Sequence, residues 1–400
     1  MLSDSAFLYA TFPRLTETFV RRELRELKKL GFTPDLFSIW KGQCLWEGRE
    51  IRLFSISRLF FLFAWIPYWA WRKPKAFKNI LTHLWSSTCP NFQNWNETFL
   101  GLAYALVEAK KFERLKYRRI HAVWATMPAT AALGLHILTD VPYSMGAHAY
   151  DVFRHQGDWL LSLKLKRAVR IRTSSVSTAR RLTDVGVDQN RLILIHRSLN
   201  LMPVRTDFSL VRKESLSLVS VGRLVEKKGY FLLLKILEDL RARAVPFTLD
   251  ILGDGPLKKE LTIELSRTHL DRFVCLHGHC PEDQIISCYG KSDALLFPGV
   301  IASNGDRDGI PNVIPEAMSC GLLVLASNRA GSSEAFTDQE SGYSLDPYKS
   351  SSWSVLLEDF YTNPDKFIQV RKNAFSRANE QFSAKVNCQK LKSSFDQTFA

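Results

Sequence analysis

Short apolar runs alternate with segments of helical periodicity through the second half of the chain. These runs predict strands at residues 216–222, 247–253, 273–278, 294–298 and 322–327. The intervening segments, such as KKGYFLLLKILEDLRAR (227–243), repeat their apolar residues at the spacing of a helix. Buried strands that alternate with helices are typical of a parallel sheet covered on both faces. The second half is therefore predicted to be an α/β domain.

The first half alternates in the same way, but less regularly. Its β-rich runs are AFLYATF, DLFSIW, IHAVWAT, YSMGAHA, VRIRTSS and RLILIH. The segment TETFVRRELRELKKLG (16–31) is strongly amphipathic and ends in glycine, which predicts a helix. A chain of 400 residues is too long for one ordinary core. We therefore predict two α/β domains, residues 1–205 and 206–380, followed by a terminal helix at 381–400 that packs back on the first domain.

A hydrophobic and basic segment at about residues 52–120 interrupts the first domain. From Arg52 to Arg119 there are 12 Lys or Arg against 3 Asp or Glu. The run LFFLFAWIPYWAW (59–71) is too short for the roughly 20 residues of a spanning helix. Aromatic rings beside basic residues are typical of a helix at an anionic membrane surface, which we expect residues 52–80 to contact. The alternative is a helix buried against its own domain.

The net charge of +14 favours an anionic partner, such as a phosphate-bearing substrate, a membrane surface or nucleic acid. The nucleic-acid interpretation lacks a supporting motif, since no zinc finger or RNP-like aromatic motif occurs. The seven cysteines include no CxxC pair, which predicts neither a disulfide framework nor a zinc site. Reduced thiols and the absence of a signal-peptide pattern at the start predict a cytoplasmic protein.

The segment VGRLVEKKG (221–229) joins a predicted strand to a predicted helix. It places Arg223 and Lys228 five residues apart around the turn. Helix N-termini attract phosphate, and two cations beside one would bind a diphosphate strongly. A solvated basic turn is the alternative. The glycine-rich run LGDGPL (252–257) predicts a second turn of the same kind and carries little information alone.

The segment DGIPNVIPEAM (308–318) places two carboxylates, Asp308 and Glu316, on either side of a loop. Gly309 permits a close approach of the backbone to a ligand. Glu316, near the start of the next helix, can accept two ribose hydroxyls, and Asp308 can face a sugar beyond the diphosphate. Alternatively, both carboxylates only complement the N-terminus of the helix, at about 0.3–1 kcal/mol each.

VGRLVEKKG, LGDGPL and DGIPNVIPEAMSCGLLVLASNRAGSSE, in this order, resemble the C-terminal domain of the family 4 retaining glycosyltransferases with the GT-B fold. FPRLTETFVRRELRELKKLG, IHAVWA and AHAYDVFR are similar to blocks of the branch that builds colanic-acid-like exopolysaccharides. The resemblance implies an α/β, GT-B architecture of two Rossmann-like domains whose parallel sheets face a central cleft.

The resemblance also implies roles for individual residues. Arg223 and Lys228 would bind the diphosphate of a nucleoside-diphosphate sugar, Glu316 its ribose and Asp308 its sugar. His148 would contact the donor sugar, and Glu17 and Thr18 the donor or the acceptor. Further donor contacts are implied at five residues, several of them through backbone N–H groups: Gly222, Gly309, Ile310, Asn312 and Val313.

The chain departs from the family pattern at two places. Asp308 stands where the family usually has glutamate, and PRLTE replaces a Gly-Gly turn after the first strand. DRD (306–308) has the form of a metal-binding motif, but its place in the family pattern argues against a metal. We expect no metal and no cofactor, with the nucleotide sugar as co-substrate and the leaving diphosphate stabilised electrostatically.

The implied function is transfer of a sugar, with retention, to a hydroxyl of a lipid-linked glycan acceptor in surface polysaccharide biosynthesis. The protein would be cytoplasmic, peripheral on the inner face of the membrane. One alternative is a GT-B enzyme that modifies a sugar nucleotide, such as an epimerase. Others are a basic nucleic-acid-binding or scaffolding protein, and a degenerate transferase. The residues decide neither the base of the nucleotide, UDP or GDP, nor the sugar.

Overall fold

The computed structural model describes residues 4–14, 17–199, 208 and 214–399. They form two compact units. The first contains residues up to His196 and those from Cys388 onward, and the second is Arg197–Asn387. The predicted boundary at residues 205 and 206 lies outside the described residues. Both units are α/β, as predicted.

The described part of the first unit is built on an eight-stranded sheet with the strand order β3-β4-β2-β1-β5-β6-β7-β8. All neighbouring strands are parallel except β3 and β4. The strands are β1 (Ser5–Phe12), β2 (Asp35–Gly42), β3 (Leu45–Trp46), β4 (Arg49–Leu53), β5 (Arg119–Ala122), β6 (Tyr143–Gly146), β7 (Arg170–Thr173) and β8 (Leu192–Leu194). The short pair β3–β4 has no counterpart in the sequence prediction.

Helices cover both faces of this sheet. They are α1 (Thr18–Lys29), α2 (Leu62–Arg72), α3 (Pro74–Ser86), α4 (Phe92–Leu115), α5 (Met127–Thr139), α6 (Tyr150–Phe153), α7 (Leu161–Arg167), α8 (Val176–Asp184) and the terminal α15 (Ala384–Phe399). One core lies between the sheet and α4 and α5, and the other joins Phe7 and Leu27 to Phe395 of α15. The segment 52–120 contributes α2, α3 and α4, with Asn91 capping α4 through a 3.0 Å bond from the Asn94 N–H.

The second unit contains a parallel sheet with the order β11-β10-β9-β12-β13-β14 among its described residues. Its strands are β9 (Leu216–Val221), β10 (Phe247–Leu252), β11 (Val274–Gly278), β12 (Ala294–Phe297), β13 (Leu323–Ser327) and β14 (Tyr343–Leu345). Its helices are α9 (Tyr230–Ala242), α10 (Lys258–Arg267), α11 (Glu282–Lys291), α12 (Val313–Ser319), α13 (Ser350–Thr362) and α14 (Ile368–Gln381). The predicted strands are present because each is an apolar run buried between two helical layers.

The aromatic segment 59–71 forms the end of a short 3₁₀ turn and most of α2. Of the α2 side chains only Trp69 is buried. Among the described residues, none of the helices combines the length and the apolar character needed to cross a bilayer.

Candidate active site

The loop after β9 places the predicted phosphate-binding residues at the carboxyl end of the sheet. The loop is held against the β10 loop, since the N–H of Leu224 donates to the Asp254 carbonyl at 3.0 Å. The Tyr230 hydroxyl donates to the Gly222 carbonyl at 2.8 Å and fixes the start of the turn. Arg223 is exposed, and its guanidinium has no ion-pair partner within the described ranges. It is therefore available to an anionic ligand.

A single 3₁₀ turn, Glu226–Lys228, follows this loop and leads into α9 through Gly229. Gly229 has φ +70°, and a Cβ there would lie 1.9 Å from the Pro298 carbonyl oxygen. Only glycine lets the turn approach the end of β12 this closely. The turn thereby brings the Lys228 ammonium within 4.9 Å of the Phe297 ring centroid.

The side chains of this turn form an ion-pair network with the DRD segment. Lys228 Nζ lies 2.6 Å from Asp308 Oδ2. Lys227 Nζ lies 3.4 Å from Asp308 Oδ1 and 3.0 Å from Asp306 Oδ1. All four side chains are largely removed from solvent, at 13–18% exposure. The network links two segments about 80 positions apart in sequence.

Electrostatics fix the ionisation of this network. Burial alone would raise the pKa of Asp308, but the ammonium groups of Lys228 and Lys227 outweigh burial and hold that pKa below its usual range. Burial likewise opposes the charged form of Lys227, and the carboxylates of Asp308 and Asp306 nevertheless raise its pKa. Asp308 is therefore an anion at neutral pH, and Lys227 a cation.

Lys227 and Asp306 were not assigned roles from the sequence. The available signal was the KK dipeptide of VGRLVEKKG together with the DRD segment. Both DRD carboxylates contact lysine ammonium groups in the structure. Their charges are thus already compensated by side chains of the chain itself.

The loop from Asp308 to α12 contains the remaining predicted donor contacts. It packs closely on a second loop, since a Cβ at Gly331 would lie 2.6 Å from the Gly309 carbonyl carbon. Asn312 precedes α12, and Ile310, Asn312 and Val313 are half-buried. Glu316 is 8% exposed in the first turn of this helix. The structure therefore keeps this carboxylate at the end of the loop that begins with Asp308.

His148, in the first unit, follows β6 and is 6% exposed. The backbone N–H of His148 donates to Asp151 Oδ1 at 2.8 Å, and the backbone N–H of Ala125 donates to Asp151 Oδ2 at 2.8 Å. Asp151 thus joins the loops that follow β5 and β6. The His148 ring lies edge-on to Trp124, with centroids 5.2 Å apart. The aspartate of AHAYD is a positioning residue that the sequence prediction did not single out.

Glu17 and Thr18 lie at the start of α1, where Thr18 is the first helical residue. Glu17 is largely buried, with its carboxylate 3.7 Å from Arg14 Nη1. Phe19 contacts Trp124 edge-on at a centroid distance of 6.0 Å. Phe19 at the start of α1 and His148 therefore both pack against the Trp124 ring. Leu15 and Thr16 of the PRLTE turn lie outside the described residues.

One further group could hold a metal ion among the side chains that the structure describes. Asp250, Cys275 and His277 offer ligand atoms within 4.8 Å of one another. They lie on β10 and β11, and none of them was a predicted site residue.

The comparisons with known proteins agree with the geometry of the second unit. Residues 206–377, which include Arg223, Lys228, Asp308 and Glu316, match the family described as glycosyl transferases group 1. The chain carries a group 1 glycosyl transferase domain. The resemblance noted from the motifs of this domain is confirmed.

The chain is also similar to curated proteins that are described as exopolysaccharide biosynthesis glycosyltransferases. The chain is 25% identical over 266 residues to the putative colanic acid biosynthesis glycosyltransferase WcaL of Salmonella typhimurium, covering 66% of this chain and 61% of that protein. It is 32% identical over 130 residues to the amylovoran biosynthesis glycosyltransferase AmsK of Erwinia amylovora, covering 32% of each. The matches thus span less than two thirds of either relative.

Solved structures share the fold over nearly the whole chain. Anabaena HepE, crystallised with UDP and glucose, aligns with a TM-score of 0.70 and 15% identity over 98% of this chain and 99% of that one. Sucrose-phosphate synthase from Thermosynechococcus elongatus aligns with a TM-score of 0.71 and 14% identity, covering 99% and 98%. The predicted GT-B fold is confirmed.

Proposed function

We propose that this chain is a retaining glycosyltransferase that transfers a sugar from a nucleoside-diphosphate sugar to a hydroxyl of a glycan acceptor. The proposal rests on one observation above all: Arg223, Lys228 and Asp308 converge at the carboxyl ends of β9 and β12. These strands are neighbours in the sheet. Ligands of open parallel sheets bind at such ends. Solved neighbours that bind UDP, such as HepE, support a nucleotide-sugar donor.

The charges suit the departure of a diphosphate. As the bond between the anomeric carbon and the diphosphate oxygen breaks, negative charge grows on that oxygen. Arg223 and Lys228 would stabilise this charge, and they would do so without a metal ion. The acceptor oxygen bonds to the anomeric carbon from the same face, and its proton passes to the diphosphate. Retention of configuration follows from this same-face route.

Asp308 gives the donor site two arrangements. Its carboxylate pairs with Lys228 at 2.6 Å. A bound diphosphate would take over Lys228, and Asp308 could then accept a hydroxyl of the donor sugar while Lys227 stays beside it. The buried carboxylate of Glu316 would accept the ribose hydroxyls.

A nucleotide panel tests the donor site. UDP, GDP, ADP, CDP and their sugars are added to the protein, and the shift in melting temperature is measured. We expect one diphosphate to stabilise the wild type through mass action, and to shift Lys228→Ala and Glu316→Ala far less. Lys235→Ala, a change of an exposed lysine on α9, serves as the matched control. No shift with any nucleotide, in a folded protein, would contradict the proposal.

We further propose that the acceptor is lipid-linked and that the first domain contacts an anionic membrane. Phe60, Trp71 and Trp85 are 74%, 81% and 93% exposed. Residues 56–86 contain five Lys or Arg and no Asp or Glu. Large exposed apolar side chains mark interaction sites, and aromatic rings beside basic side chains suit a lipid headgroup layer. The seven free cysteines suit the cytoplasmic face.

An apolar cavity between α2, α3, α4 and α5 supports this acceptor class. Its volume is about 330 Å³, and all fourteen residues that line it are apolar, among them Ile66, Phe77, Leu84 and Ile137. An apolar cavity of about 150 Å³ already stays dry and binds benzene. A space of this size and lining would accept a hydrocarbon chain of the acceptor lipid.

Flotation with vesicles tests the membrane contact. We expect the protein to float with phosphatidylglycerol vesicles at low salt and much less with phosphatidylcholine vesicles, since surface charge attraction is screened by salt. Lys75 and Lys78 are exposed on α3. The double variant Lys75→Glu, Lys78→Glu should abolish flotation, whereas Lys258→Glu, Lys259→Glu in the second unit should not. Absence of flotation by the wild type would refute the membrane contact and leave the donor site untouched.

A further inference from the structure

An unexplained group of polar side chains lies at the β11 edge of the second unit's sheet. Asp250 on β10 is paired in register with Cys275 on the edge strand β11. His277, two positions after Cys275, is the extra residue where the register of β10 and β11 shifts. Its Nε2 is 2.6 Å from Asp250 Oδ1. Ligand atoms of all three residues lie within 4.8 Å of one another.

Folding of the sheet does not account for these residue types. Their neighbours Leu249, Ile251 and Val274 are buried in the core on the opposite face. Aspartate is depleted in strands, and a free cysteine is among the most often buried residues. Here Cys275 and His277 are exposed, and Asp250 is half-exposed. Three side chains with metal-binding atoms thus meet on a rigid part of the fold.

We propose that Asp250, Cys275 and His277 bind a zinc ion. Thiolate, imidazole and carboxylate are the three ligand types that Zn²⁺ takes in proteins. Zn–S and Zn–N bonds of about 2.3 and 2.0–2.1 Å place neighbouring ligand atoms about 3.5 Å apart in a tetrahedron. To reach this spacing the 2.6 Å contact between His277 and Asp250 opens by about 1 Å, and a separation at the 4.8 Å limit closes by a similar amount. A water molecule completes the tetrahedron.

Binding would convert the Cys275 thiol to a thiolate, and its proton would pass to solvent. The ion would then join β10 and β11 through side chains, in addition to their backbone pairing. This link would hold the edge strand in place and cover part of an exposed strand face. None of the three residues belongs to the donor site proposed above, so zinc binding is independent of glycosyl transfer.

Zinc stoichiometry tests the proposal in the full chain. The protein is kept reduced with a phosphine that does not chelate metals, and zinc is titrated by calorimetry with no nucleotide present. We expect one equivalent in the wild type. Cys275→Ser, His277→Gln and Asp250→Asn should each weaken binding at least tenfold. Cys44→Ser and His279→Gln change an exposed cysteine and an exposed histidine outside the group, and should bind as the wild type does.

Two further measurements exclude indirect effects. Cadmium, as a spectroscopic substitute, should give a near-ultraviolet thiolate charge-transfer band in the wild type and in Cys44→Ser, but not in Cys275→Ser. Without metal, Cys275→Ser and His277→Gln should melt as the wild type does, because these two side chains are exposed. Zinc should raise the melting temperatures of the wild type and of the controls Cys44→Ser and His279→Gln, but not those of the three ligand variants. The proposal would be overturned if the wild type bound no zinc. It would also be overturned if Cys275→Ser and His277→Gln bound zinc as tightly as the wild type does.

Discussion

The ammonium of Lys228 donates a hydrogen bond to Asp308 Oδ2 at 2.6 Å. The residue predicted to bind the donor's diphosphate is therefore paired with the residue predicted to bind its sugar. Lys227 faces the second oxygen of the same carboxylate at 3.4 Å. A donor that engages Lys228 must compete with Asp308, and the released carboxylate remains beside Lys227. The pair of lysines therefore allows Lys228 to change partner without leaving Asp308 unpaired.

This arrangement predicts unequal effects of the two lysines. Lys228→Ala should lower kcat by about 10²–10³, the usual cost of losing a group that stabilises transition-state charge. Lys227→Ala should lower it less than about tenfold, because Lys227 contacts carboxylates rather than the leaving group. Initial rates with the donor found in the nucleotide panel measure both. A Lys228→Ala enzyme within threefold of wild type would contradict the role assigned to this residue.

The lowered pKa of Asp308 predicts a flat pH response for its substitution. Because Lys228 and Lys227 favour the carboxylate, the stability it contributes is present above the unfolded pKa of about 3.9 and is lost only as pH falls through the lower folded pKa. The ratio of kcat/KM between wild type and Asp308→Asn should therefore be constant from about pH 5.5 to 8.5, at tenfold or more.

A ratio that rises with pH across this range would show that Asp308 titrates during catalysis, contrary to the ion-pair network. Asp308→Glu is the matched control, because it keeps the charge and provides the residue that the family usually has here. It should retain more activity than Asp308→Asn at every pH.

The sequence predicted the second unit well, because its strands are buried on both faces and appear as short apolar runs. It also placed Arg223, Lys228, Asp308 and Glu316 in one motif set. The pairing of Lys227 with Asp306 was not predictable, since it depends on how Gly229 brings one turn against the end of β12.

Other features were missed for related reasons. The two-residue strand β3 is too short for an alternating pattern, and its pairing with β4 is set by tertiary contacts. The proposed zinc ligands Asp250, Cys275 and His277 were not found from the sequence, because a search for CxxC pairs considers only residues close together in one segment. Asp250 and Cys275 come together through strand register across 25 positions of sequence. The apolar cavity needs four helices to form, so no single segment shows it.

Filling the apolar cavity between α2, α3, α4 and α5 should weaken the binding of a hydrocarbon chain without weakening the binding of the protein to a membrane. Ala103 lines the cavity on α4 and is half-buried. Ala103→Trp should lower the affinity for a fluorescent single-chain alkyl phosphate at least tenfold, because the larger ring occupies the space of the chain. Flotation on anionic vesicles should persist, because Lys75 and Lys78 are unchanged. If the wild type and Ala103→Trp bound the probe with equal affinity, the hydrocarbon chain would not bind in the cavity.

His121 should make the first unit sensitive to acid. Burial, assisted by the charge of Arg172, lowers its pKa to about 3. The unfolded chain takes up a proton near pH 6.5 that the folded unit does not accept, so stability falls as pH drops below 6.5. At pH 4.5 the loss relative to alkaline pH is about 3 kcal/mol, from 1.36 kcal/mol per pH unit.

Urea unfolding at pH 6.5 and 4.5 checks this expectation for wild type and His121→Gln. Glutamine does not titrate and can keep a hydrogen bond to Ser144, which His121 Nδ1 contacts at 2.9 Å. Groups common to both proteins cancel in the difference. The stability gap between them should therefore shrink by about 2 kcal/mol between these two pH values, and an unchanged gap would show that His121 is not buried as a neutral ring.

A buried ion pair should dominate the stability of the loop that follows His148. Lys164 is fully buried, and its ammonium donates to Asp158, to the Ala125 carbonyl at 2.7 Å and to Thr130 Oγ1 at 3.2 Å. Asp158→Ala leaves this ammonium without a counter-charge and should destabilise the first unit by about 3–5 kcal/mol. Asp158→Leu with Lys164→Met removes both charges and should cost much less.

Tryptophan fluorescence during urea unfolding reports on this unit, because nine of the ten tryptophans precede residue 160. Trp159, next to Asp158, is buried and donates to Ser87 Oγ at 2.8 Å, so its emission should register the loss directly. If Asp158→Ala and the double variant unfold at the same urea concentration, the cost comes from packing rather than from the unpaired charge. A lower midpoint for Asp158→Ala alone would establish that Asp158 is needed to keep the Lys164 ammonium buried beneath the loop that carries Ala125.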